Sequence, residues 1–192
     1  MSIQAAAAQI LTLIGKVQSA TPLVAIDGHS AAGKSSLARA VQAGCRQATI
    51  VQADDFYRPL DPFYRDALDA AAGYAEYYDW QRLEDQVLRP LRAGRPARYQ
   101  RYDWARNQLA DWAEVGGDGP VIVEGCYSAR PELRGHYDAI ALVVSSPAER
   151  AHRQRLRADA SPAWLERWDA AERHYMERFR PDTYADVVLS GQ

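Results

Sequence analysis

One stretch constrains this chain more than any other: Gly28-His29-Ser30-Ala31-Ala32-Gly33-Lys34-Ser35. It satisfies the pattern G-x-x-x-x-G-K-[ST] at every fixed position, in which glycines let successive backbone N–H groups turn inward around a phosphate chain. Leu23-Val24-Ala25-Ile26 before it reads as a buried strand, and Ser36-Leu37-Ala38-Arg39-Ala40-Val41 after it reads as a helix. The loop then lies at the positive end of that helix. Gly28 through Ser36 are expected to hold the phosphates of a nucleotide, with Lys34 reaching the β- and γ-phosphates and the Ser35 hydroxyl ligating Mg²⁺. Arginine is used almost everywhere for positive charge, and the only lysines are Lys16 and Lys34. A compact ammonium on a flexible stem suits the loop better than a planar guanidinium.

The remainder alternates strand and helix at crossover spacing, which predicts a parallel sheet covered on both faces. Residues 3–18 have apolar side chains three and four apart and read as an amphipathic helix. Strands are expected at 23–27, 49–53, 121–125, 139–144 and 186–189, with helices to about Ala43, after Asp79, after Ser146 and from Ser161 to about Arg178. Residues 59–78 have weak periodicity and read as a mobile or ligand-covering segment. Asp79 is a natural N-cap for the helix that follows, and ligand contact is the other role open to it. Pro90 should bend or end that helix.

Acids at strand ends carry the candidate chemistry. Asp54 and Asp55 follow the second strand, at the edge where ligands bind in open α/β sheets; an ordinary polar loop with a capping aspartate would look the same. Glu124 ends the apolar run Val121-Ile122-Val123. A carboxylate there is costly without a charged partner, and the arrangement has the form of a strand whose terminal acid faces Mg²⁺. The stretch from Arg98 to Trp104 alternates aromatics with charges, as a pocket wall or a two-stranded edge would. Ser146-Pro147-Ala148-Glu149 is a strong helix start. Arg150, Arg153 and Arg157 then share one helix face, either a solvated basic surface or part of a lid.

Together these residues resemble the uridine kinase family of P-loop kinases, whose relatives include nicotinamide riboside kinase and pantothenate kinase. The resemblance rests on Ile26-Asp27-Gly28 before the loop, Asp54-Asp55-Phe56-Tyr57, Val123-Glu124-Gly125, the arginine-rich helix after Ser146-Pro147, and Tyr175 with Ala185-Asp186-Val187-Val188. It implies that Asp54 is the base near an acceptor hydroxyl, and that Tyr57 with Tyr102-Asp103-Trp104 lines the acceptor pocket. It also implies that Arg153 and Arg157 belong to a lid closing on the phosphates. Asp55 and Asp79 are, from their positions, expected as further acceptor contacts. The chain departs from the family in two places. Ala105-Arg106-Asn107 stands where a histidine often contacts the base, and the usual Arg-Gly-Arg run of the lid is absent.

The expectation is a P-loop three-layer α/β/α sandwich with a five-stranded parallel sheet, one domain over residues 1–192, and a helical lid at about 150–165. The expected reaction is transfer of the γ-phosphate of ATP, with Mg²⁺, to a hydroxyl of a small molecule such as uridine or cytidine. A different hydroxyl metabolite, or a nucleotide-binding regulatory module, are the other readings. Net charge is −2, which suggests neither a nucleic-acid nor a membrane partner; a homo-oligomer is left open. Cys45 and Cys126 lack metal-type spacing and read as free thiols of a cytoplasmic protein.

Overall fold

A computed structural model describes residues 1–157 and 161–191. The strands are β1 (Leu23–Gly28), β2 (Thr49–Gln52), β3 (Ala97–Asp103), β4 (Gln108–Val115), β5 (Val121–Glu124), β6 (Ala139–Val144) and β7 (Val187–Ser190). Five of them form a parallel sheet in the order β2-β5-β1-β6-β7. Helices cover it on both faces, giving a P-loop kinase fold. Strands β3 and β4 form a separate antiparallel pair, so the aromatic–charge alternation at 98–104 is a two-stranded element.

The sheet's faces follow from its pleat. Successive side chains point to opposite sides, so Val24, Ile26 and Ile122 join one core with helices α1 (Ile3–Ile14) and α2 (Lys34–Gly44). Leu23, Val121 and Val123 join the opposite core with Phe56, Leu83, Val87, Leu88 and Leu91. Strand β1, at the centre, is buried along its whole length. Helix α1 is capped by Ser2, whose hydroxyl accepts from the Ala5 N–H at 3.2 Å. It ends at Ile14 and not at residue 18, because Lys16 and Val17 close turns onto Leu13 and Ile14 instead of continuing the helix.

Residues 59–78 also differ from expectation. They contain α3 (Pro62–Ala67), capped by Asp61, and α4 (Ala70–Glu76), capped by Asp69. Their short lengths explain the weak periodicity. Tyr74 of α4 stacks on Tyr175 of the long helix α8 (Pro162–Phe179), with ring centroids 5.5 Å apart. After Asp79 the chain forms α5 (Trp80–Leu83), a π-helical turn over Glu84–Leu88 and α6 (Arg89–Arg92), within which Pro90 sits. The π turn and Pro90 both interrupt regular hydrogen bonding. Helix α7 (Pro147–Arg157) starts the expected lid. Residues 158–160, within that lid, and the Arg157 side chain lie outside the described residues. No described helix is long and apolar enough to cross a membrane.

Gly28 ends β1 at φ 142° beside β6. A Cβ built there would lie 2.2 Å from the Val143 carbonyl oxygen, which belongs to the strand backbone and has no freedom to withdraw. Gly28→Ala is therefore expected to destabilise the fold by roughly 3 kcal/mol or more, combining backbone strain with a forced separation of β1 and β6. Urea unfolding followed by far-UV circular dichroism measures this, and an unchanged midpoint would contradict the packing described.

Candidate active site

The phosphate loop spans the carboxyl end of β1 and the start of α2. Gly33 caps α2 in a left-handed conformation, φ 104°, and Ala31 is also left-handed at φ 57°. This alternation of backbone hands turns N–H groups toward a common centre, the geometry that binds anions. The Lys34 ammonium donates to the carbonyls of Gly28 at 2.9 Å and His29 at 2.8 Å. It also lies 3.4 Å from Cys126 Sγ. Burial alone would lower the Lys34 pKa. The acids Glu172, Glu124 and Asp54, with the Cys126 sulfur beside them, outweigh it and hold the group above its ordinary value.

A cleft of 640 Å³ opens over this loop. Its loop side includes Ser30, Ala31, Gly33, Lys34, Ser35 and Ser36; Glu124 and Asp54 stand on the same walls. Glu124 is 5% exposed. Burial raises its pKa, against the opposing effects of the Lys34 charge and the Ser35 hydroxyl. A buried carboxylate beside a hydroxyl at a phosphate loop is a hard oxygen donor pair, which fits Mg²⁺. Asp54 is in the short 3-10 turn Ala53–Phe56, exposed to the cleft, and accepts a hydrogen bond from the Tyr78 hydroxyl at 2.6 Å.

The two adjacent aspartates, equivalent in sequence, occupy different surroundings. Asp55 faces away from the cleft wall, accepts from the Tyr99 hydroxyl at 3.1 Å and lies 3.8 Å from Arg101. Its pKa is raised, chiefly by burial. Asp79 accepts from the Arg82 N–H at 3.0 Å as the N-cap of α5 and is not among the cleft walls. Tyr57 and Tyr102 are also set back. Each is nearly buried in an aromatic cluster, and the Tyr102 hydroxyl donates to Asn107 at 2.7 Å. Trp104 does reach the cleft, with its ring 4.7 Å from that of Tyr57. His29 turns to Glu172. Arg153 donates to the Ala31 carbonyl at 2.7 Å, so helix α7 is tied to the loop.

Several cleft residues have no motif to announce them. Arg39, Arg65, Gln154, Trp164, Leu165 and Trp168 line it, the last three spaced along α8. Glu172, one turn beyond Trp168, is 1% exposed. It accepts from the Ser30 N–H at 2.8 Å, the Ser30 hydroxyl, His29 Nδ1 at 3.2 Å, Cys126 Sγ at 3.0 Å and Trp168 Nε1 at 2.7 Å. Trp168 Nε1 also donates to the Ser30 hydroxyl, so the indole joins the cleft wall to the loop. Oxygen and nitrogen atoms of His29, Asp169 and Glu172 gather closely enough to suggest a metal group. The Arg150 guanidinium already lies 3.1 Å from Asp169 and 3.8 Å from Glu172, so an internal cation serves this cluster. An acid spaced i+4 from a tryptophan was visible in the sequence, but nothing local marked it as facing the loop.

The sheet order, the left-handed loop and the lysine at the start of α2 are those of a P-loop kinase fold. No protein-family model matches the sequence, and no curated protein is similar to it at a significant level. Solved structures share the fold. A possible uridine kinase from Bacillus stearothermophilus superposes with a TM-score of 0.75 at 21% identity, covering 98% of this chain and 100% of that one. A candidate fructose transport system kinase from Silicibacter sp. TM1040 gives 0.67 at 23%, covering 98% and 99%. D-glycerate 3-kinase from Cryptococcus neoformans gives 0.56 at 14%, covering 93% and 86%.

Glu172 provides a test of the cluster by pH. Burial would raise its pKa, but hydrogen bonds from His29, Ser30 and Cys126 with the Lys34 charge bring it to about 2, from an ordinary 4.5. A carboxylate depressed in the folded state stabilises it fully above the unfolded pKa, and that contribution is lost as pH falls from about 4.5 toward 2. Glu172→Gln should lower unfolding free energy at pH 7 by on the order of a few kcal/mol, and the difference from the parent should shrink by pH 3. A pH-independent difference in chemical unfolding would refute the assignment.

Proposed function

We propose that this chain is a kinase of uridine kinase-like type that transfers the γ-phosphoryl group of MgATP to a hydroxyl of a small acceptor. The observation that carries the reading is convergence: Lys34, Ser35, Glu124 and Asp54, drawn from three strand ends, all border one cleft that continues onto aromatic walls. A binding module needs the loop; it does not need two further acids at the reacting end. The similar structures, all described as kinases, support the same reading.

In this mechanism the loop N–H groups receive the phosphates, and Lys34 turns its ammonium from the carbonyls of Gly28 and His29 toward the transferring group. Ser35 and Glu124 would hold Mg²⁺, which supplies charge neutralisation on the phosphate oxygens. Arg153, from α7, adds positive charge beside the loop. Asp54 Oδ2 orients the acceptor hydroxyl and takes its proton, while the Tyr78 hydrogen bond to Oδ1 fixes the carboxyl. Phosphoryl transfer passes through a loose transition state, so positioning and charge stabilisation provide most of the acceleration. Asp54 suits the base better than Asp55, whose carboxyl is engaged by Tyr99 and Arg101.

The acceptor side favours a compound with a flat or apolar body. Nucleosides come first, from the sequence resemblance and from the aromatic walls at Trp104, Trp164 and Trp168. Another small hydroxyl metabolite is the second reading, favoured by Ala105-Arg106-Asn107 in place of the base-contacting histidine and by α3, whose Arg65 reaches the cleft.

Acceptor-dependent ADP release, measured over a panel of nucleosides and small alcohols, is expected for one compound class; no stimulation by any would favour a binding module. With the acceptor so found, Asp54→Asn should reduce kcat by about 10²–10⁴-fold while leaving MgATP affinity near the parent value. Lys34→Ala should weaken both MgATP binding and turnover. Parent-like kinetics in either variant would count against the scheme.

A further inference from the structure

The acceptor half of the cleft has an uneven charge. Its walls are Tyr78, Trp104, Trp164, Leu165, Trp168 and Arg65, with Asp54 at the reacting end. Apart from Asp54, Arg65 is the charged side chain among these described residues. Its guanidinium lies 4.5 Å over the Trp164 ring. That ring is itself held edge-on against Tyr77, with centroids 5.2 Å apart. The stacking fixes the guanidinium plane without using its N–H donors.

Those donors are only partly satisfied. Nε and Nη2 both turn to Asp66 Oδ1, at 3.2 and 3.1 Å. Among the described residues Nη1 has no hydrogen-bond partner. Asp66 is also shared: Arg167 lies 3.5 Å from the same oxygen. Among the described residues, one exposed carboxylate therefore faces two guanidinium groups, one positive charge in excess at this rim. Asp103, beside Trp104, is neutralised by Arg106 at 2.9 Å and adds no balancing charge.

We propose that the acceptor carries an anionic group, a carboxylate or a phosphate ester, remote from its reacting hydroxyl. Arg65 receives that group, and Trp104 and Trp164 flank the body of the molecule. The inference rests on the kinase reading for the identity of the acceptor, while the anion site rests on the geometry at α3 and α8. Of the two acceptor readings it favours the second, a small hydroxyl compound with an acidic end, over a neutral nucleoside. Arg65 is in this reading the residue that determines specificity.

Matched pairs test it: orotidine against uridine, pantothenate against pantothenol, and ribose 5-phosphate against ribose. Each is titrated into the full chain by tryptophan fluorescence, since three tryptophans line the cleft, and then assayed for ADP release with MgATP. The anionic member of at least one pair should bind about tenfold more tightly than its neutral partner, the usual scale of a charge-assisted contact. The first two pairs report a carboxylate and the third a phosphate ester. Arg65→Gln should abolish the preference through KM for the anionic member, and Arg65→Lys should restore part of it. Equal binding within every pair, binding by no member, or a preference that survives Arg65→Gln overturns the proposal. A preference in fluorescence with no ADP release from any compound supports the anion site and instead sinks the transfer reading.

Discussion

A buried ammonium surrounded by acids is the interaction on which the candidate site depends. Lys34 is almost inaccessible to water, yet its charge is favoured because Glu124, Glu172 and Asp54 stand around it. Each of these acids comes from a different element, so the charge balance is also a set of positional constraints. Removing one partner from such a group leaves an uncompensated buried charge, which is far more costly than the loss of a surface pair. The phosphate loop is thereby tied to the end of β5, to the turn after β2 and to helix α8.

The parallel sheet makes this convergence geometrically simple. Strands β1, β2 and β5 run in one direction and end on one edge, so the loop, Asp54 and Glu124 emerge side by side. Apolar residues on both faces of β1 and β5 hold those ends in register against two separate cores. The aromatic cluster behind Asp54 plays a different part. Tyr57, Tyr77, Tyr78 and Trp168 pack against one another. They present only Tyr78 and Trp168 to the cleft. Tyr78 and Trp168 each combine an apolar body with a polar tip, and those tips contact Asp54 on one side and Ser30 with Glu172 on the other.

Helix α8 connects the two halves of the cleft. Trp164, Leu165 and Trp168 line the wall expected to meet the acceptor, and Glu172 holds the loop expected to meet the nucleotide. Helix α7 is joined to the same centre through Arg150 and Arg153, the first to Asp169 and Glu172 and the second to the Ala31 carbonyl. The arginine stripe is therefore neither wholly solvated nor free of the loop.

The sheet, the loop and the acids at strand ends were all legible in the order of residues along the chain. Apolar runs of strand length, helical spacing and a glycine–lysine motif are local patterns, and the backbone obeys them wherever burial agrees. The sequence did not resolve the short helices α3 and α4, whose few turns carry too little periodicity to distinguish them from a loop. Local pattern did not separate Asp54 from Asp55, although the family resemblance favoured Asp54: neighbouring residues in a turn point in different directions, and the packing of Tyr78 and Tyr99 decides which meets the cleft. Tyr57 likewise became a buried ring once its neighbours were in place, whereas Asp79 took the helix-cap role that its position before Trp80–Leu83 had offered. The contributions of Arg65, Trp164, Trp168 and Glu172 were decided by tertiary structure alone. They come from segments far from the loop in sequence, and a contact between distant segments leaves no periodic trace in either one.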